Sequence, residues 1–185
     1  MATTTNEHAA PTAVTDPAAR STKAAVSVPT APAPTVSLRP ITRDTVRDIC
    51  LLQVSAEQAG RVAANSVSIA EGHFYGEEAW FRAIYADADP IGFIMMYDPT
   101  GAASPQESEF YLWRLMIDQR FQRRGFGARA VHLLFEFAYA RRHATRIYVS
   151  HVKTAPDLGQ WYARLGFRYT GREEDGELFM TRGLP

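Results

Sequence analysis

Residues 122–127, Gln-Arg-Arg-Gly-Phe-Gly, constrain the fold more than any other part of the chain. They follow an apolar run, 110–117, that is interrupted only by Arg114 and is typical of a buried strand. They open a segment whose apolar side chains recur at helical spacing as far as Arg142. Glycines at the first turn of a helix let a ligand approach the backbone N–H groups, which lie at the positive end of the helix dipole. The pattern therefore predicts a strand, a glycine turn and a helix that together hold a pyrophosphate.

A Gly-x-Gly pair alone is a weak signal, but the competing phosphate-binding motifs fit this chain poorly. No Gly-Lys-Ser/Thr follows for a nucleoside triphosphate loop, and the third glycine of the dinucleotide fingerprint is absent. Instead, Gln-x-x-Gly-x-Gly at 122–127 is followed by Trp-Tyr-Ala-Arg-Leu-Gly-Phe at 161–167. In this context the chain resembles the GNAT superfamily of N-acetyltransferases, which implies an enzyme with acetyl-CoA as cosubstrate.

Composition and charge argue against several other classes of function. The formal net charge is zero, so bulk electrostatics predict neither nucleic acid nor an anionic membrane as a partner. The single cysteine, Cys50, excludes an internal disulfide, and the scattered histidines predict no metal site. No apolar run approaches the roughly 20 residues that span a bilayer, and the N-terminus lacks the apolar core of a secretory signal. A cytoplasmic protein, with a homodimer as a possible assembly, is therefore expected.

The chain is expected to divide into a tail and one domain. Residues 1–36 contain no Leu, Ile, Phe, Tyr or Trp and are mostly Ala, Thr and Pro, a composition typical of disorder. Residues 37–185 suffice for one domain with an ample core. Within them, periodicity and turn residues predict the order β α α β β β α β α β β, with the fourth strand at 109–117 and the long helix from Gly125 to about Arg142. The order predicts an α/β fold in which helices cover both faces of a mixed sheet.

That order is also the order of the GNAT fold, and the resemblance implies further detail. It implies a mostly antiparallel sheet of about seven strands, whose fourth and fifth strands splay apart around the pantetheine arm of CoA. Backbone groups of the fourth strand would pair with that arm, and one N–H would polarise the thioester carbonyl. The pyrophosphate would lie on the turn at the start of the long helix. The cofactor contacts implied in this way are Met116, Ile117, Gln122, Arg123, Arg124, Gly125, Phe126, Gly127 and Ala128.

Two side chains are candidates for the catalytic acid and base. Tyr162 matches the tyrosine with which GNAT enzymes commonly protonate the departing thiolate, although its ring could simply pack in the core. An alkyl ammonium has a pKa of about 10.4, so neutralising it at pH 7 costs roughly 4.6 kcal/mol and calls for a base. Glu109 stands at the start of the fourth strand, where several family members have such a glutamate. The alternative for Glu109 is an exposed residue at a strand end.

The last predicted helix contains two departures from the family. Ala155 stands where an asparagine often contacts CoA, which leaves that contact to Thr154 or His151. Thr154 is also the expected N-cap of this helix. Gly159 lies inside the helix, at a cost of about 1 kcal/mol relative to alanine.

The acceptor amine is suggested by a narrower resemblance, to bacterial spermine/spermidine (diamine) acetyltransferases. The segments that resemble this branch are 56–65, 68–71, 113–118 and 174–177. They imply acetylation of a polyamine by direct attack in a ternary complex, with Glu57 and Glu71 near the cationic acceptor. Ordinary surface charge is the alternative role for these carboxylates. Two other functions stay open: acetylation of a protein N-terminus, a lysine or an amine-bearing drug, and acyl-CoA binding without catalysis.

Overall fold

A computed structural model describes residues 33–101 and 109–185. Most of the predicted tail, residues 1–32, lies outside the described residues, as do residues 102–108. From Ala33 onward the described chain forms one compact unit, whose first strand begins at Val36. No helix in these two ranges is long and apolar enough to cross a membrane.

The helices and strands follow the predicted order. The strands of the described residues are β1 (Val36–Arg39), β2 (Ala79–Ala86), β3 (Asp89–Tyr97), β4 (Phe110–Ile117), β5 (Arg146–Val152), β6 (Arg168–Glu174) and β7 (Glu177–Gly183). The helices are α1 (Val46–Leu51), α2 (Asn65–Tyr75), α3 (Phe126–Arg142) and α4 (Pro156–Arg164). The order of strands and helices predicted from periodicity and turn residues is therefore confirmed.

All seven strands join in one sheet with the order β1-β2-β3-β4-β5-β7-β6. Neighbouring strands are antiparallel, except that β4 and β5 are parallel. The pairs Phe110–Ile147 and Tyr111–Tyr148 join β4 to β5, and beyond them the two strands diverge. The predicted mostly antiparallel sheet, with a gap between its fourth and fifth strands, is confirmed.

The core has two parts because helices cover both faces of the sheet. On one face, α3 and α4 bury residues that include Ile94, Leu112, Leu134 and Ile147. We call this the α3–α4 face. On the other, the α1–α2 face, a smaller core includes Ile49, Ala83, Phe93, Met95 and Met116. Burying one such side chain stabilises the fold by roughly 1.5–3 kcal/mol, so both faces contribute to holding β4 in place.

The start of α4 differs from the prediction. Ala155, and not Thr154, is its N-cap residue, and Pro156 is its first helical residue. A proline disfavours the helical conformation in the residue before it, so Ala155 keeps a non-helical backbone (φ −119°, ψ 66°). The proline thus fixes the helix start one residue beyond the threonine.

Candidate active site

The gap between β4 and β5 exposes backbone groups of β4. The Met116 carbonyl oxygen faces β3, where it lies 2.4 Å from the position that a Cβ on Gly92 would take. The Asp118 N–H also faces β3 and donates to the Ile91 carbonyl at 2.8 Å. Because backbone groups alternate sides along a strand, those of Leu115 and Ile117 face the gap. Of the two β4 residues predicted to contact pantetheine, Ile117 therefore faces the gap, and Met116 pairs inside the sheet.

A β-bulge in β4 determines which side chains reach the α1–α2 face. Met95 pairs with Arg114 while the next residue of β3, Met96, pairs with Leu112, so Trp113 is an extra residue in β4. As a result, Trp113 packs on the α1–α2 core. Arg114 lies on the same face, where its guanidinium contacts the carboxylate of Glu71 on α2 at 3.3 Å. The predicted acceptor residue Glu71 is thus already ion-paired.

The predicted cofactor residues 122–128, which we call the glycine turn, lie together at the end of the gap. Gly125 is the N-cap residue of α3 with φ 78°, and no side chain caps this helix. Arg123 also has a positive φ, 62°, and is exposed together with Arg124. Phe126 is buried in the α3–α4 core and anchors the turn. The first N–H groups of α3 therefore have no capping side chain, which is the arrangement that binds anions at helix N-termini.

The side chain of Gln122 joins the glycine turn to the loop after α1. Its amide nitrogen donates to the Ile117 carbonyl at 2.8 Å and to the side-chain oxygen of Gln58 at 2.8 Å. Gln58 ends a short 3-10 turn, Ala56–Gln58, that also contains the exposed Glu57. This bridge brings the second predicted acceptor residue, Glu57, to the same end of the gap as the glycine turn.

Asp118, directly after β4, is a buried carboxylate that sequence reasoning did not single out as a functional residue. One oxygen accepts from the Gln53 N–H at 3.0 Å, and the other accepts from the backbone and guanidinium of Arg120 at 3.0 and 2.8 Å. Burial alone would raise the pKa of this carboxyl, but the hydrogen bonds outweigh burial, and the pKa lies below its usual range. Asp118 thereby fixes the loop after α1 against the end of β4.

Tyr162, the predicted acid, projects from α4 and is 9% exposed. Its ring packs against Trp161, Phe167 and His151 at centroid distances of 5.0, 5.6 and 6.5 Å. Its hydroxyl makes no hydrogen bond to any residue that the structure describes. Burial, and to a smaller degree Tyr111 and Glu177 nearby, raise the pKa of this phenol well above its ordinary value. Tyr162 thus stays protonated at neutral pH and keeps a proton to give.

His151 stacks on the ring of Tyr162, and two hydrogen bonds fix its own position. Its Nδ1 lies 3.0 Å from the Val152 carbonyl, which can only accept, so Nδ1 holds the proton. Nε2 then accepts from the Tyr169 hydroxyl at 3.0 Å. A Cβ on Gly159 would lie 2.0 Å from that hydroxyl and 2.7 Å from Nε2. The glycine inside α4 is therefore explained by packing, because any side chain there would break the His151–Tyr169 hydrogen bond.

Glu109, the predicted base, is exposed and immediately precedes β4. Among the described residues, its charge acts on Arg172 of β6. The pKa of Arg172 is raised chiefly by a hydrogen bond to Glu174 and in smaller part by the charge of Glu109. The groups that act on Tyr162 are Tyr111 and Glu177 instead. The structure thus brings Glu109 to Arg172 and a different carboxylate to the acid.

That carboxylate belongs to a hydrogen-bonded chain that sequence reasoning missed. The Tyr111 hydroxyl donates to Ser150 Oγ, which in turn donates to Glu177 Oε2. We call these three residues the hydroxyl chain. They lie in β4, β5 and β7, so no local spacing in the sequence could have joined them. Glu177 was noted only within the acidic 174–177 segment.

Two carboxylates beside Glu177 on the hairpin, and Glu71 on α2, have cationic partners. Glu173 contacts Lys153 at 3.0 Å, and Glu174 pairs with Arg172. Glu71 pairs with Arg114. Glu177 has no ion-pair partner among the described residues. The cations therefore offset the negative charge of these three carboxylates, and Glu177 keeps its charge without such a partner in the described part of the chain.

The comparison with family models gives one match, to the acetyltransferase (GNAT) family over residues 51–167. A curated relative is the spermine/spermidine N(1)-acetyltransferase of Bacillus subtilis (strain 168). It is 25% identical over 154 residues, which is 80% of this chain and 99% of that protein.

Solved structures of similar fold include acetyltransferases with different acceptors. The spermidine N-acetyltransferase from Vibrio cholerae in complex with CoA and spermine has a TM-score of 0.60 at 13% identity, covering 80% of this chain and 95% of that one. An aminoglycoside acetyltransferase, AAC(6')-Ib, in complex with coenzyme A and kanamycin has a TM-score of 0.64 at 16% identity, with the same coverage. The ribosomal-protein-S18-alanine N-acetyltransferase from Escherichia coli has a TM-score of 0.61 at 13% identity, covering 81% and 94%. At these identities the structures show a shared fold alone.

Proposed function

Because this chain belongs to the acetyltransferase (GNAT) family, we propose that it transfers the acetyl group of acetyl-CoA to a primary amine of a polyamine such as spermidine or spermine. N-acetyltransfer follows from the family, and the acceptor is the proposal. The observation that supports the site most directly is the gap between β4 and β5. It has the glycine turn at one end, and the buried Tyr162 lies beside the hydroxyl chain.

In this proposal acetyl-CoA lies along the gap. Its pyrophosphate binds the first N–H groups of α3, with Arg123 and Arg124 as flanking cations. Its pantetheine arm pairs with the gap-facing backbone of Leu115 and Ile117, a choice supported by the inward-facing Met116 carbonyl. Gln122 already donates to the Ile117 carbonyl, so pantetheine would pair with the remaining groups or displace this amide.

In this proposal the acceptor amine and the catalytic acid approach the thioester from opposite faces of the sheet. We place the amine on the α1–α2 face and Tyr162 on the α3–α4 face, so that the thioester lies between them. The amine nitrogen forms a bond to the acetyl carbon, the C–S bond breaks, and the Tyr162 hydroxyl protonates the thiolate of CoA. A phenol is neutral at pH 7, so Tyr162 carries a proton when the thiolate forms.

Polyamine as acceptor is supported by the curated relative and by the exposed Glu57 beside the gap. An observation that favours a different acceptor is the Glu71–Arg114 pair, which neutralises a predicted acceptor carboxylate. A protein N-terminus, a lysine or an amine-bearing drug is therefore the second candidate. We place the enzyme in the cytoplasm because acetyl-CoA, a large anion, does not cross membranes unaided.

The test is thiol release from acetyl-CoA at about pH 8 with spermidine, spermine, putrescine, a lysine peptide, kanamycin or no acceptor. We expect saturable turnover on spermidine or spermine. Tyr162→Phe should lower kcat about 10²–10³-fold, since it removes the proton donor. Tyr139→Phe, at an exposed tyrosine of α3, is the matched control. Turnover on the peptide or kanamycin alone would refute the polyamine proposal and leave the acetyltransferase in place.

A further inference from the structure

The hydroxyl chain lies where the two strands separate. Tyr111 and Tyr148 form the last pair between β4 and β5 before the gap. Ser150 follows on β5, and Glu177 opposite Val152 starts β7. The Tyr111 ring also packs 6.2 Å from the ring of Phe179 on β7. All three members of the chain are therefore held by the sheet itself, beside the site at which we place the thioester.

The chain has a direction. Tyr111 donates to Ser150, and Ser150 donates to Glu177, so both protons point toward the carboxylate. The Tyr111 oxygen keeps a lone pair that can accept a proton from a group in the gap. This ordered set of donors is the arrangement that conducts a proton from the gap to Glu177.

The charges around the chain leave Glu177 able to act as an acceptor. The charged and titratable groups near it are Arg114 on β4, Tyr162 on α4, Lys153 after β5, Arg172, Glu173 and Glu174 on β6, and Glu109 before β4. Of these cations, Arg114 contacts Glu71, Lys153 contacts Glu173, and Arg172 contacts Glu174. Glu177 is thus hydrogen-bonded to a neutral hydroxyl and contacts no cation among the described residues.

We propose that Glu177, through Ser150 and Tyr111, removes the proton that the acceptor amine must lose before it attacks the thioester. This inference rests on the proposed acetyltransfer to an alkyl amine. The ammonium gives a proton to the Tyr111 oxygen, Tyr111 gives its proton to Ser150, and Ser150 gives its proton to Glu177. Glu177 later releases that proton to solvent. The nitrogen releases its second proton to solvent as the C–N bond forms and the C–S bond breaks. Tyr162, which has protonated the thiolate, takes up a proton from solvent, so that one proton is released overall.

Glu109 is the competing candidate, and the contacts favour Glu177. Glu109 is exposed, and its electrostatic partner is Arg172 on β6. No hydrogen bond joins it to the gap through any described residue. Glu177 is connected to the gap by two hydrogen bonds, and its charge acts on Tyr162.

The experiment compares the pH dependence of kcat/KM for the acceptor, from pH 6.5 to 9.5, in the full chain. Glu177→Gln can still accept a hydrogen bond from Ser150 but takes up no proton. We expect a loss of about 10²–10³-fold near pH 7 that shrinks as pH rises, because free amine then forms in bulk solution. Ser150→Ala should show a smaller loss with the same dependence. Glu136→Gln, at an exposed glutamate of α3, is the matched control and should follow the wild type.

A loss in Glu177→Gln that is equal at every pH would indicate a structural role and overturn the inference. So would a wild-type profile in Glu177→Gln together with an altered one in Glu109→Gln. The profile is measured on whichever amine of the panel the wild type acetylates, so rejection of polyamines leaves the test intact.

A second readout needs no turnover. Burial, and in smaller part the charge of Glu177, raise the pKa of Tyr111 and Tyr162, so Glu177→Gln should lower the pH midpoint of their tyrosinate absorbance. Tyr111→Phe should remove part of that change. An unchanged titration in Glu177→Gln would mean that the carboxylate and the tyrosines are not coupled, and the proton route would be excluded.

Discussion

At the residue scale, helix propensity and side-chain packing favour different residues at position 159: propensity favours alanine, and packing favours the glycine that is present. As a helix-interior position it costs about 1 kcal/mol relative to alanine. Its missing side chain leaves room for the hydrogen bond between Tyr169 and His151, and His151 stacks on Tyr162. Removing the propensity cost would therefore damage the support of the proposed acid.

We expect Gly159→Ala to lower the melting temperature and kcat together, against the gain that helix propensity alone predicts. The added Cβ would lie 2.0 Å from the Tyr169 hydroxyl, so that ring must move and release His151. Adding Tyr169→Phe to this variant removes the closest clash and should recover part of the melting temperature. Gly60→Ala is the control, since a Cβ there meets nothing within 4 Å. A Gly159→Ala protein as stable and active as the wild type would show that Tyr169 and His151 can move aside without cost, and would contradict this prediction.

At the element scale, the join between β4 and α3 connects the sheet to the glycine turn. The end of β4 is held by Asp118 and Gln122, which tie it to the loop after α1. The helix α3 then begins at Phe126, directly after its N-cap residue Gly125, whose backbone is left-handed. The geometry of the turn thus depends on one backbone conformation.

Gly125→Ala should weaken CoA binding without a steric clash. A Cβ at this position would meet nothing within 4 Å, so the cost is the left-handed backbone itself, about 1–2 kcal/mol. If the turn adjusts to avoid that cost, its N–H groups move. We expect the Kd for CoA, measured by calorimetry, to rise about 5–30-fold, since each 1.4 kcal/mol is a factor of ten.

Gly127→Ala is the comparison for that measurement. Its Cβ would lie 3.4 Å from Trp161 and 3.6 Å from Ile117, which are ordinary contacts, and its backbone φ is not positive. A larger effect at Gly127 than at Gly125 would place the pyrophosphate deeper in the helix than we propose.

At the scale of the whole molecule, residues 1–32 of the predicted tail are expected to be dispensable, whereas its last residues contact the domain. A chain that begins at Ala33 keeps the reciprocal hydrogen bonds between Thr35 and Asp87 and the contact from Arg129 to the Pro34 carbonyl. Deleting residues 1–32 should leave the melting temperature and kcat within error of the full chain.

Deleting residues 1–36 is the matched control, because it removes those contacts and the Val36–Ala86 pair. With about 1 kcal/mol for each of three hydrogen bonds, the melting temperature should fall by roughly 5–10 °C. Equal stability of the two truncated proteins would place the domain boundary further along the chain. A homodimer stays a prediction, and the mass of the truncated protein in solution would test it.

The sequence by itself determined the elements and the family. Hydrophobic period, proline and glycine are read over a few residues, so the strand before Gln122, the helix after Gly125 and the order of all eleven elements could be predicted. The same local information sufficed to expect Tyr162 in the last helix. These features depend on neighbours in the chain, and a sequence displays such neighbours directly.

Only the tertiary structure decided which charged and polar side chains contact each other around the gap. The extra residue Trp113 turns Arg114 toward Glu71, and a periodicity of two cannot reveal a bulge. Tyr111, Ser150 and Glu177 meet from three strands, so Glu109 stays the base predicted from the sequence and Glu177 is the base that we propose. Sheet register brings residues together across long stretches of chain, and the physical reason for the difference is that register depends on the pairing of whole strands and not on any local pattern.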